Sequence, residues 1–197
     1  LIPGLIEINP NVRFYATGGT FQAIGEILGP KPATRHLVPV ADYTGQPETQ
    51  GGLVKTLDFK IYLGLLTETY NEAHRMDMDR TGAAPLDLVV CNLYPFEAVV
   101  AQEGATIEAA RANIDIGGPC MIRAAAKNYL RVAAVVDPQD YASLLASLRA
   151  HDGSLDLTSR FELAQKAFAH TAAYDRAISN HLAAQDARAV GLAYELQ

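Results

Sequence analysis

In "RVAAVVDPQDYASLLASLRA", residues 131 to 150, a strand runs straight into a helix. "RVAAVV" is apolar and β-branched, Asp137 suits a helix N-cap, and Pro138 suits the first helical position before "QDYASLLASLRA". The same order appears upstream. "VRFYA" (12 to 16) leads through "TGGT" into "FQAIGEIL", where Phe21, Ile24 and Leu28 have helical spacing. "LDLVVCNLYPF" (86 to 96) begins as a run buried on both faces of a parallel sheet and is stopped by Pro95. "TIEAARANIDIGGPCMIRAAAKN" (106 to 128) reads as a helix, a Gly117-Gly118 break and a second helix opened by Pro119. "TSRFELAQKAFAHTAAYDRAISNHLA" (158 to 183) spaces Phe161, Ala164, Phe168, Thr171, Ile178 and Leu182 as one long amphipathic helix. Strands alternating with helices predict an α/β domain of three layers, with a mainly parallel central sheet flanked by helices. Ligands of such domains favour the loops beyond the carboxyl ends of the strands.

The 197 residues are expected to form one domain, 1–197, with a substantial core. A hydrophobic fraction of 49% and a charged fraction of 19% exclude the disordered and disulfide-rich classes. A net charge of −6 argues against a nucleic-acid partner, so an anion bound here must be held locally. Cys91 and Cys120 have no neighbour at metal-ligand spacing, which fits a reducing, cytoplasmic setting. No apolar run is long enough to cross a bilayer, and "LIPGLIEINPN" lacks the marks of a signal peptide. The histidines, His36, His74, His151, His170 and His181, follow no metal-binding pattern, and no metal site is expected.

Four segments offer chemistry, and each has a purely structural reading beside it. In "ATGGT" the backbone of Gly18 and Gly19 and the hydroxyls of Thr17 and Thr20 suit an anion, although a bare Gly-Gly turn is more often structural. In "VKTL", Lys55 and Thr56 suit a phosphate, although a loop lysine is usually solvated. In "NLYPF", Asn92 and Tyr94 stand at the end of a buried strand, where a tyrosine also packs under a proline-fixed turn. "NIDIGGPCMIRAAAK" supplies Asp115 and Gly117 at the helix start, then Arg123 and Lys127 on one face, which equally describes a dipole-compensated helix. Taken together they offer a carboxylate, a phenol and two lysines for proton transfer and oxyanion stabilisation.

From about Phe14 to Leu182, these motifs resemble the IMP cyclohydrolase domain of the bifunctional enzyme family that also carries AICAR formyltransferase activity. "ATGGT", "GGLVKTL", "CNLYPFE", "NIDIGGPCMIRAAAKN", "VVDPQDY" and "KAFAHTAAYDRAISNHLA" stand in that family's order and spacing. The resemblance implies a methylglyoxal-synthase-like α/β fold and closure of 5-formamidoimidazole-4-carboxamide ribotide (FAICAR) to IMP, the last step of purine biosynthesis, without cofactor or metal. It implies that Lys55, Tyr94, Asp115 and Lys127 line the reacting end. Gly18, Gly19, Thr20 and Thr56 would hold the 5′-phosphate. The expected partner is the ribotide, with no membrane and no nucleic acid, and there is room for a homodimer or association with a separate formyltransferase. The formyltransferase half is expected to be absent, and the family's opening strand with its "SVSDK" segment, normally upstream of the first helix, is not visible before Leu1.

The chain departs from the family at "GGLVKTLDF", where the usual sequence is "GGRVKTLHP". Leu53 replaces a phosphate-side arginine, Asp58 and Phe59 replace His-Pro, and Tyr62 and Leu63 replace His-Gly. Losing one charge-assisted bond of about 1.5 to 3 kcal/mol would weaken binding roughly ten- to a hundredfold. Asp58 is expected to turn away from the phosphate or pair with a lysine, with Lys60 as its partner in a solvated pair. The altered segment favours a second reading, a non-catalytic ribotide-binding or assembly protein. A third, methylglyoxal synthase chemistry, rests on fold analogy alone.

Overall fold

The computed structural model describes residues 1–47 and 54–194. The departure at Leu53 therefore lies outside the described residues. The chain opens with α1 (Ile2–Ile8), β1 (Phe14–Ala16), α2 (Gly18–Leu28), α3 (Pro30–His36), β2 (Leu37–Pro39) and α4 (Val40–Thr44). It continues through α5 (Phe59–Leu66), α6 (Glu72–Thr81), β3 (Leu88–Val90), α7 (Phe96–Val100), α8 (Ile107–Ala112), α9 (Gly117–Lys127) and β4 (Ala133–Val135). A 3-10 turn at Pro138–Asp140 then leads into α10 (Tyr141–Ala150), α11 (Leu157–Ala183) and α12 (Ala187–Tyr194).

Both strand pairs are parallel, as the alternation of elements predicts. β1 lies beside β2 with Phe14 opposite Leu37, and β3 lies beside β4 with Leu88 opposite Ala133. Among the described residues the strands form two two-stranded sheets, each strand only three residues long. Beyond β3 the Cys91 N–H still donates to the Val135 carbonyl at 3.0 Å, which fixes where the "NLYPF" segment leaves the sheet. β2 was not legible in "HLVPV" because Pro39 cannot donate to a ladder and ends the strand after three residues.

Alternation along β4 defines the layers, because successive side chains point to opposite faces. Ala134 joins Ile122 of α9 and Ala164 and Ala167 of α11 in one cluster, whereas Val135 joins Leu5 of α1 and Leu144 and Leu148 of α10 in another. Helices thus cover both faces. On the α9 side the buried groups are small, Ala124, Ala125 and Ala126 against Ala164 and Ala167, so that α9, α11 and β4 lie close together. Arg131, just before β4, donates to the carbonyls of Gly64, Thr67 (3.0 Å) and Leu86 (3.3 Å), tying the end of α5 to the strands.

The helix starts follow capping chemistry. Thr106, Asn71 and Asp156 accept from backbone N–H groups at the starts of α8, α6 and α11. Asp137 accepts from the Gln139 N–H at 2.9 Å as expected, but the turn it caps is 3-10 and the α-helix proper begins at Tyr141. α9 begins at Gly117, two residues before Pro119, because the Asp115 carboxylate takes the Gly118 N–H and holds the glycines in the first turn. Ile122 is 0% exposed at the centre of the core. Ile122→Ala is expected to cost about 2–5 kcal/mol in urea denaturation. A loss below about 1 kcal/mol would contradict this packing.

Candidate active site

The first half of the site is the turn after β1. Gly18 has φ 47, a left-handed conformation that glycine adopts without a Cβ penalty. Thr17 caps α2 without a side-chain hydrogen bond, no acidic residue lies in the first turn, and Phe21 is the first residue whose N–H reaches back, to Thr17 O at 3.2 Å. The N–H groups of Gly18, Gly19 and Thr20 therefore open the helix with its positive dipole end. A Cβ at Gly18 would lie 3.4 Å from the Lys55 ammonium. A helix N-terminus and an ammonium meeting at one turn call for an anion. Thr17 and Lys55 also line a small cleft with Gln46 and Val54. The Gln46 Oε1 is buried there with no hydrogen-bond partner among the described residues.

The second half is built around the start of α9. A Cβ at Gly117 would lie 2.7 Å from Thr56 Oγ1, and one at Gly118 would lie 2.7 Å from Leu93 Cδ2 and 2.8 Å from Asp115 Oδ2. The two glycines let the side chains of Thr56, Leu93 and Asp115 pack directly against this helix end. Asp115 Oδ1 accepts from Gly118 N–H at 2.8 Å, while its own backbone N–H donates to the Tyr174 hydroxyl at 2.9 Å. Cys91 stands beside Asp115 at the end of β3, and burial, with the carboxylate adding, pushes its thiol up to about 12.

The two halves are joined through the consecutive residues Lys55 and Thr56, one at each end. Tyr94 is 53% exposed and lies near Tyr174, as does Asp115. Asn92 and Thr20 are exposed, and the space above Gly19 is open. Lys127 stands at the opposite end of α9 from Gly117. It is exposed and closes α9 ten residues from Gly117, about 15 Å along the helix axis.

The expected solvated pair of Asp58 and Lys60 is corrected by the structure. Asp58 is buried and caps α5, accepting from the Lys60 backbone N–H at 2.8 Å. The Lys60 ammonium donates to Tyr43 O at 3.3 Å and lies 5.8 Å from the centre of the Tyr43 ring. A helix start holds Asp58, and not a lysine side chain. Tyr62, another departure, has a buried hydroxyl with no partner among the described residues, and burial beside Cys120 pushes it up to about 12. Tyr174, Gln46 and Cys91 are the site residues that sequence reasoning missed. Tyr174 continues the buried stripe of α11 from Thr171, so its spacing marks it only as core.

The chain is similar to known proteins along nearly all of its length. Residues 2–120 match the MGS-like domain family and residues 125–197 match the AICARFT/IMPCHase bienzyme family. The chain belongs to the MGS-like domain family. Within that class, its relatives are bifunctional purine biosynthesis proteins PurH. It is 51% identical to that of Magnetococcus marinus over 175 residues, covering 89% of this chain and 32% of the relative. It is 45% identical to that of Neisseria gonorrhoeae over 184 residues, covering 91% and 34%. The chain thus spans about a third of the length of the curated relatives it matches. Among solved structures, the one titled "Crystal structure of ForH" aligns with a TM-score of 0.74 at 32% identity, covering 90% of this chain and 86% of that chain. These matches bear out the resemblance to the IMP cyclohydrolase part of the bienzyme and the MGS-like α/β fold. No helix among the described residues is long and apolar enough to cross a membrane.

The two thiols differ in accessibility, and this gives a direct check on the site. Cys120 is exposed, whereas Cys91 is half-buried beside a carboxylate. A thiol reagent at pH 8 is expected to label the folded protein once, at Cys120, with Cys91 reacting only after denaturation. Rapid labelling of both would contradict the placement of Cys91.

Proposed function

We propose that the chain is an IMP cyclohydrolase, closing FAICAR to IMP. The observation that carries this reading is the meeting of Lys55 and the α2 N-terminus at one end of a site whose other end holds Asp115. A ribotide has the matching polarity, with a phosphate at one end and a carboxamide and formamide at the other. In the reaction, the carboxamide nitrogen bonds to the formyl carbon and loses one proton, the formamide nitrogen loses another, and the formyl oxygen leaves as water.

In this reading Lys55, expected at the reacting end, takes the phosphate with the Gly18–Thr20 backbone, while Thr56, expected at the phosphate, lies against Gly117 at the other end. Asp115 orients the carboxamide and accepts its proton through Oδ2, which takes no hydrogen bond from the described residues. Tyr94, whose phenol is open to solvent, positions the formyl group or relays the proton. Holding the two reacting groups face to face supplies much of the rate, because the step is intramolecular. No described residues group three His, Cys, Asp or Glu side chains as a metal would require. A formyltransferase activity, in the same or a separate chain, would deliver the substrate.

The departures at Leu53, Asp58 and Phe59 favour a second reading, a ribotide-binding protein without turnover. Adding FAICAR and following IMP by ultraviolet absorbance separates the two. Ring closure above the uncatalysed rate is expected. Asp115→Asn should lower kcat roughly 10²- to 10³-fold, and Lys55→Met should raise KM about ten- to a hundredfold. Tight IMP binding with no turnover would establish the second reading, and neither binding nor turnover would reject both.

A further inference from the structure

We propose that Tyr174 is a positioning residue that clamps the Asp115 turn to α11 and so aims the carboxylate; the proposal rests on the ring-closing reading. Asp115 sits in the short connection between α8 and α9, where regular secondary structure supplies no partner for its backbone N–H. The Tyr174 hydroxyl bridges this connection. It donates its one hydrogen to the Asn113 carbonyl at 2.9 Å and accepts from the Asp115 N–H at 2.9 Å. Both backbone groups are satisfied by one side chain from a helix 27 residues long.

The phenol is itself held in place. Its residue is 9% exposed, and its ring meets Phe96 edge-on at 6.3 Å and 69°. Burial, with Asp115 and Tyr94 nearby, pushes the Tyr174 phenol up, so it stays protonated and keeps donating to Asn113. On the far side Gly118 N–H holds Asp115 Oδ1. The carboxylate is therefore fixed by α11 through its backbone and by α9 through one oxygen, leaving Oδ2 for the reacting group. Asp115 falls in the stretch that matches the MGS-like domain, and Tyr174 in the stretch that matches the bienzyme, so the clamp joins the two.

Tyr174→Phe removes the hydroxyl and keeps the ring against Phe96. Measured per folded molecule, kcat is expected to fall about tenfold or more with KM changed less than about twofold, since a small misplacement of a catalytic group is costly. The Asp115 amide, followed by NMR hydrogen exchange, should exchange at least about tenfold faster in the variant. A variant that merely lowers the melting temperature, with kcat unchanged, would overturn the proposal. So would an unchanged exchange rate at Asp115. Absence of IMP from the unaltered chain is a distinct result: it rejects the ring-closing reading, while the exchange rate still reports whether the clamp exists.

Discussion

There is no space for a Cβ at Gly117 or Gly118. Thr56 Oγ1, Leu93 Cδ2 and Asp115 Oδ2 would all stand closer than 3 Å to such an atom. That constraint brings three segments far apart in the chain onto one helix end. α9 can take part because it is anchored from behind, where its alanines lie against those of α11. A side chain at either glycine would displace the Thr56, Leu93 or Asp115 side chain packed there.

The parallel strands set the direction in which the site faces. β1 ends at the Gly18 turn, and β3 ends just before the segment carrying Asn92 and Tyr94. Each strand pair delivers one loop to the site, the Gly18 turn after β1 and the Asn92–Tyr94 segment after β3, whose Leu93 packs against Gly118. The short strands leave much of the cohesion to helices, above all to α11, which lies along α9 and β4 and supplies Tyr174. Stability and positioning thus run through the same element: a helix that fills the core also holds the turn carrying the carboxylate.

Strand-to-helix transitions at 12–28 and 131–150 were legible because glycine or an Asp-Pro pair punctuates them, and α11 was legible from its long apolar stripe. β2 and the short helices α3, α4 and α7 were not, since each is too short for periodicity to show. Within the site, Gly18, Lys55, Thr56, Asp115 and Gly117 were named from sequence and do meet. Lys127 shares a motif with Asp115 and stands at the opposite end of α9 from it. Asp58 looked like a solvated charge because a cap and a surface aspartate are spelled alike; only the Lys60 N–H tells them apart. Tyr174 was hidden for a related reason, since a tyrosine on a buried stripe reads as core until its hydroxyl is seen between two backbone groups.

In the ring-closing reading, one ribotide-sized ligand touches the Gly18 turn and the Asp115 turn together. Backbone amide NMR of the chain titrated with IMP checks this. The amides of Gly18, Gly19, Thr56, Asp115 and Gly117 are expected to shift together with one saturation curve. Shifts confined to one of the two turns, or clustered elsewhere on the protein, would contradict it.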